Sequence, residues 1–303
     1  MVEKYYLPGF CSLFYLNDNL FFLKERHPEW FKDNIEFSSV YDCFPGMIWN
    51  GGRGVAEYLI PEEEIKRIIY FFNGKNIPLR FTLTNSLLEE EHLHDEYCNK
   101  IIDIASKSGM NEIIINSPLL EEYLRNKYEN NFKWILSTTR AERDADKINE
   151  LCEKYYLIVI DYRDAKNKDF LQKLKYKDKI EILVNESCHY TCPYRKQHYE
   201  NISRVQLNPS LKNLPTSCQY KQEVNIGQKS DRGFAWVLKY NSQTIISADE
   251  ITNDYVPMGF SNFKLEGRGA FIYYALDSYV HYFFKDEYKD IARTALIANV
   301  LLR

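Results

Sequence analysis

Short apolar runs alternate with amphipathic helical stretches along most of this chain, and that alternation decides its fold class. Parallel strands need a crossover between them, and a helix is the usual one. Eight runs read as strands: Ile35–Val40, Leu79–Thr84, Glu112–Asn116, Lys133–Ser137, Tyr156–Asp161, Ile180–Asn185, Thr244–Ala248 and Asn262–Glu266. Helical patterns lie between the first six, at Glu62–Phe72, His94–Ser106, Leu119–Tyr128 and Asp146–Lys154, with a weaker one at Phe170–Leu174. Pro61 followed by Glu62, Glu63 and Glu64 is a strong helix start, with proline and acid at the positive end of the dipole. Eight strands in 303 residues predict an α/β fold, a single (β/α)8 TIM-like barrel spanning 1–303. An open doubly wound sheet is the competitor, but Gly46, Gly51, Gly52 and Gly54 lack the GxGxxG spacing of a dinucleotide fold. A helical pattern over Tyr288–Leu302 would close the outer ring.

The interval from Cys188 to Gln243 is far longer than the others and rich in polar and turn-forming residues. In a barrel, long loops beyond the C-terminal ends of strands build sites. Residues 188–243 are therefore expected to be an active-site insertion after the sixth strand. The net charge of −4, from 39 basic and 43 acidic residues, argues against a polyanion binder as a whole. No run is long and apolar enough for a membrane span, and the N-terminus has no secretory pattern. A cytoplasmic location and no membrane partner are the expectation.

Seven cysteines without a secretory signal argue against a disulfide framework. Cys98 and Cys152 lie on amphipathic helical patterns and Cys11 among aromatic residues, where thiols simply pack. Cys188 and Cys192 differ. They are one helical turn apart just after a predicted strand, Cys218 returns from the long loop, and Cys43 follows the first predicted strand. Four thiolates at one end of a barrel are a donor set for a [4Fe–4S] cluster. Zinc is the alternative, with His189 or His198 completing a Cys/His shell.

Polar residues end several predicted strands: Asn85, Asn116, Asp161 with Arg163, and Asn185 with Glu186. Arg53 lies between glycines in WNGGRG. All are candidate substrate contacts at a barrel mouth. Lys264, Glu266 and Arg268 alternate in FKLEGRG, so as strand residues they would face one way and could bind and polarise an anionic substrate. They are the candidate catalytic group. No GxSxG, HExxH or Walker loop is present.

The FKLEGRG run at 263–269, with NESCHYTCP around Cys188 and Cys192, resembles the peptidase family U32, which joins collagenase-like peptidases to anaerobic hydroxylases. That resemblance implies a TIM-like barrel and, in several branches, an oxygen-sensitive iron–sulfur cluster held by four cysteines. It also implies oxygen-independent hydroxylation of an RNA base or a quinone-like small molecule. This chain departs from the family in the spacing of Cys218 from Cys192. The expected function is thus an iron–sulfur hydroxylase or related redox enzyme. The alternatives are a non-catalytic or zinc-bound barrel pairing with a second family-member subunit, and a peptidase.

Overall fold

The structure, a computed structural model, describes residues 1–51, 58–128, 130–216, 243–268 and 272–301. Eight strands close into a parallel barrel in chain order: β1 (Glu3–Pro8), β2 (Ile35–Asp42), β3 (Leu79–Leu83), β4 (Glu112–Ile115), β5 (Lys133–Leu136), β6 (Leu157–Val159), β7 (Ile180–Leu183) and β8 (Asn262–Lys264). Closure is made by β8 pairing with β1, Lys4 beside Asn262 and Tyr6 beside Lys264. The TIM-like barrel expected from the sequence is the fold found.

Two strand assignments change. EKYYLP at the N-terminus is β1, which the sequence reading passed over. Thr244–Ala248 is not a barrel strand: Ile245 makes a lone antiparallel bridge to Asn185, and Ser247 starts a helical turn. Ser247 and Glu250 form a reciprocal capping box there, Ser247 accepting from the Glu250 N–H while the Glu250 carboxylate accepts from the Ser247 N–H. The long interval at 188–243 therefore follows the seventh strand rather than the sixth, and Cys43 follows β2 rather than the first strand.

The helices are α1 (Phe14–Arg26), α2 (Glu62–Gly74), α3 (Glu96–Ser106), α4 (Pro118–Tyr128), α5 (Ala145–Lys154), α6 (Lys168–Lys173), α7 (Arg195–Leu207), α8 (Ile272–Phe283) and α9 (Lys289–Leu301). In α2 the acids of the first turn lie at the positive dipole end, and Ile65, Ile68, Ile69 and Phe72 recur at helical spacing to bury one face. Asp95 caps α3 by accepting from the Cys98 N–H at 2.7 Å. Asn19 of α1 donates to the Ala295 and Leu296 carbonyls, which ties α9 to the ring.

Strand alternation separates two cores. Leu79, Phe81 and Leu83 of β3 join the larger core, which also takes in the buried faces of α1 to α3. Tyr6, Tyr41, Ile114, Ile135, Val159 and Leu183 form a second cluster inside the barrel. The inner face also carries charge, which the site requires.

Candidate active site at the barrel mouth

A cavity of about 100 Å³ opens beyond the C-terminal ends of the strands. Its walls include Tyr41, Thr82 and Thr84 on one side, Ser137 to Thr139 after β5, and Glu186 after β7. Lys264, Glu266, Gly267 and Arg268 form the wall contributed by β8 and its extension. The three alternating polar residues of FKLEGRG thus share one cavity. Gly267 has φ +151°, and it carries the chain past Pro8 and Ala275, which lie 3.4 and 3.3 Å from where a Cβ would sit.

Each member of the triplet is held differently. Lys264 Nζ is 3.3 Å from Glu181 Oε1 and 4.0 Å from the centre of the Tyr41 ring. Burial pulls its pKa down to about 8, against the pull of Glu181 in the other direction. The Glu266 carboxylate accepts from both the N–H and the hydroxyl of Ser187, and its backbone is clamped by Asn185. Arg268 donates to the Thr82 hydroxyl and lies 3.6 Å from Asp42.

The other predicted contacts divide. Glu186 reaches the cavity, with one carboxylate oxygen accepting from the Cys188 N–H at 2.7 Å. Asn85 is fully buried and pins loops, donating to the Ile48 carbonyl at 2.8 Å and accepting from Leu87 at 3.0 Å. Asn185 joins Glu266 to Ser278 of α8. Asn116 donates to Thr139, whose neighbours line the cavity. Asp161 and Arg163 form a bidentate pair. Burial alone would raise the Asp161 carboxyl, but the hydrogen bonds from Arg163 and the charge of Arg195 outweigh it and hold the pKa below its usual value. Arg53 lies outside the described residues.

The cysteines are not gathered in the expected way. Cys43 is buried in the larger core, its thiol donating to the Phe44 carbonyl at 3.6 Å and to Met47 Sδ at 3.5 Å, and burial pushes that thiol well up. Cys188 is half-buried against the inner cluster. Cys192 is buried and closes a turn, its N–H donating to the His189 carbonyl at 3.1 Å. Cys218 lies outside the described residues. Among the described residues, no three His, Cys, Asp or Glu side chains are grouped to hold a metal ion. With Cys218 outside the described residues, the described cysteines do not by themselves make a four-thiolate shell, and Cys43 borders a second cavity beside Asp42 and Arg268. Of the two candidate zinc histidines, His189 Nδ1 meets Thr191 at 3.0 Å and His198 Nε2 meets the Thr216 carbonyl at 2.7 Å.

Three residues that matter were not singled out from the sequence. Arg80, Glu112 and Glu181 sit on the inner face below the cavity. A charged residue embedded in each of LRFTL, EIII and IEIL was the available signal, because charge on an otherwise apolar strand needs an interior partner. Asp42, at the end of β2, is the fourth omission.

No family model matches the chain. A curated protein of Methanocaldococcus jannaschii, described as an uncharacterized protease, is 26% identical over 192 residues, which cover 61% of this chain and 55% of that protein. The chain thus spans about half the length of this relative. Similar solved structures include two of low identity. One is a U32 peptidase, at TM-score 0.49 and 14% identity over 88% of this chain and 93% of that one. The other is the Bacillus cereus spore cortex-lytic enzyme SleL, at TM-score 0.43 and 12% identity over 98% of this chain and 74% of that one. Among the described residues no helix is long and apolar enough to cross a membrane. In its FKLEGRG and NESCHYTCP segments the chain resembles the U32 peptidases, and over 192 residues it is similar to the archaeal protease.

Proposed function

We propose that this chain is an enzyme that takes a small anionic substrate, or the anionic end of a larger one, into the barrel mouth and protonates it from Lys264. The observation that carries this reading is the lysine itself. It is buried, it stands in the cavity wall, and its pKa is brought down to about 8. A general acid is most effective when its pKa lies near the working pH. Arg268 supplies a second cation whose planar fork suits a carboxylate. Glu266 and Glu186 add acceptors on the same walls. The size of the cavity suits a carboxylate or carbonyl end rather than a folded partner.

Because the archaeal relative is described as a protease, cleavage of a short peptide with a free carboxylate is the first reaction to try. Water would add across the amide, and Lys264 would protonate the leaving nitrogen. Calorimetry at pH 7 with short peptides and with succinate or citrate tests the reading. Binding that is lost in both Lys264→Met and Arg268→Gln supports it. Equal binding by both variants and the natural chain would remove it.

A second reading, oxygen-independent hydroxylation of an RNA base or quinone-like molecule by an iron–sulfur enzyme, is supported by one observation. Cys188 and Cys192 are brought to a single turn beside the mouth. Its remaining thiolates would come from Cys218 or from a partner barrel, and iron and sulfide analysis decides it.

A further inference from the structure

Below the cavity the barrel encloses four ionisable groups, one each from β3, β4, β7 and β8. Arg80 and Glu181 are fully buried, and Glu112 and Lys264 nearly so. Arg80 Nε donates to Glu112, and Arg80 Nη1 donates to Glu181 Oε2 at 2.5 Å. The other Glu181 oxygen lies 3.3 Å from Lys264 Nζ. Arg80 also lies against the Tyr6 ring, 3.5 Å from its centre. Glu181 thus meets Lys264 from below while its other oxygen holds Arg80, and neither Glu181 nor Arg80 lines the cavity.

A charge count shows what this arrangement does. The guanidinium of Arg80 is always charged. With both carboxylates ionised, the four groups sum to zero only while Lys264 is an ammonium. Loss of its proton leaves one negative charge sealed in the barrel, which is costly. Glu181 and Glu112 therefore favour the proton on Lys264, whereas Arg80 and burial oppose it. Other groups face the same space. Tyr6 of β1 and Tyr41 of β2 are neutral phenols whose pKa burial raises. Glu266 and Arg268 follow on the extension of β8. The inner-cluster residues of β5 and β6, Ile135, Leu157 and Val159, carry no charge.

We propose that Glu181 and Arg80 are positioning residues for Lys264: the Glu181 carboxylate fixes the ammonium in the cavity wall, and the opposed pair sets the pH at which it releases its proton. This rests on the reading of Lys264 as the proton-transfer group, and it gives that reading a control element outside the cavity. Opposed signs make it testable. An opposite charge within about 4–6 Å shifts a pKa by roughly 1 to 3 pH units.

The experiment is carbon NMR of the full chain with ¹³Cε-labelled lysine, titrated from about pH 6 to pH 11, with Lys264→Met assigning the resonance. The natural chain should show a midpoint near 8. Glu181→Gln should lower that midpoint by about a unit or more, and Arg80→Gln should raise it. Should Arg80→Gln not fold, Glu112→Gln serves as the second variant and should lower the midpoint. A midpoint unmoved in Glu181→Gln overturns the proposal, as does movement of the second variant against its expected sign. The proton-transfer reading fails separately, for an active Lys264→Met chain would remove it while leaving these titration shifts in place.

Discussion

Arg268 Nε stands 3.6 Å from Asp42 Oδ1, and this pair joins the extension of β8 to the end of β2, the two strands that flank β1. The other Asp42 oxygen accepts three hydrogens, from the Cys11 N–H at 3.1 Å, the Ser12 N–H at 2.9 Å and the Ser12 hydroxyl at 2.9 Å. Burial pushes the Asp42 carboxyl above its ordinary range, while Arg268 and Ser12 pull it back. One carboxylate thus orders both the loop after β1 and the arginine proposed to bind substrate.

Asp42→Ala should therefore act on both. It leaves two backbone N–H groups without their acceptor and frees the guanidinium to swing. Stability should fall by about 1–3 kcal/mol, read from the denaturant midpoint. Binding of carboxylate ligands should weaken in calorimetry. Asp42→Asn should lose less stability, since its side-chain oxygen still accepts, and should weaken binding through Arg268.

Lys264 makes a signed prediction with pH. Below about 8 it is an ammonium, above it an amine, so both anion binding and general-acid activity should fall as pH rises through that value. A binding profile between pH 6 and 10, with Lys264→Met as a flat control, checks this. Stability moves the other way. The folded pKa is below the unfolded one, so the buried ammonium opposes folding below about pH 8, and that opposition fades between 8 and the usual lysine range.

His281 on α8 should set part of the acid limit of the fold. Burial, aided by Lys289 and Lys32, pushes its pKa down to about 4. The unfolded chain takes up this proton near pH 6.5 while the folded chain resists until about 4. Stability should therefore decline across that window on acidification. His281→Gln should flatten the pH dependence of thermal unfolding there, and an unchanged slope would assign the decline to carboxylates.

The thiols separate by environment. Cys43 is held against Phe44 and Met47, so Cys43→Ser should leave any bound iron, sulfide or zinc unchanged. In protein purified without oxygen, loss of metal on Cys188→Ser, Cys192→Ser or Cys218→Ser would support the iron–sulfur reading. A metal-free natural chain would remove it.

Most of the barrel could be read from the sequence because its crossovers are regular. From Leu79 to Leu183 every strand is a short apolar run followed by a helix with one apolar face, and β3 to β7 fall where that pattern puts them. The pattern failed at its two ends. EKYYLP shows two adjacent tyrosines and no clean alternation, because a register shift between Tyr5 and Tyr6 interrupts its pairing with β2. QTIISADE has a β-branched run, but Ser247 and Glu250 carry the capping signal that turns it into a helix start. At the site, alternation was enough to bring Lys264, Glu266 and Arg268 to one wall. It could not pair Arg80 with Glu112 on the adjacent β4, Arg80 with Glu181 on β7, or Arg268 with Asp42, since such partnerships depend on strand order and register.

Ring closure has a consequence for the order in which the molecule is made. β1 leaves the ribosome well before β8, and one of its edges stays unpaired until Asn262–Lys264 arrives. The last residue of that closing strand is Lys264 itself, seated between Tyr6 and Leu183. A nascent chain short of this point has an open sheet and no lysine over its buried charges. Closure of the barrel and arrival of the Lys264 ammonium over its buried charges are one event.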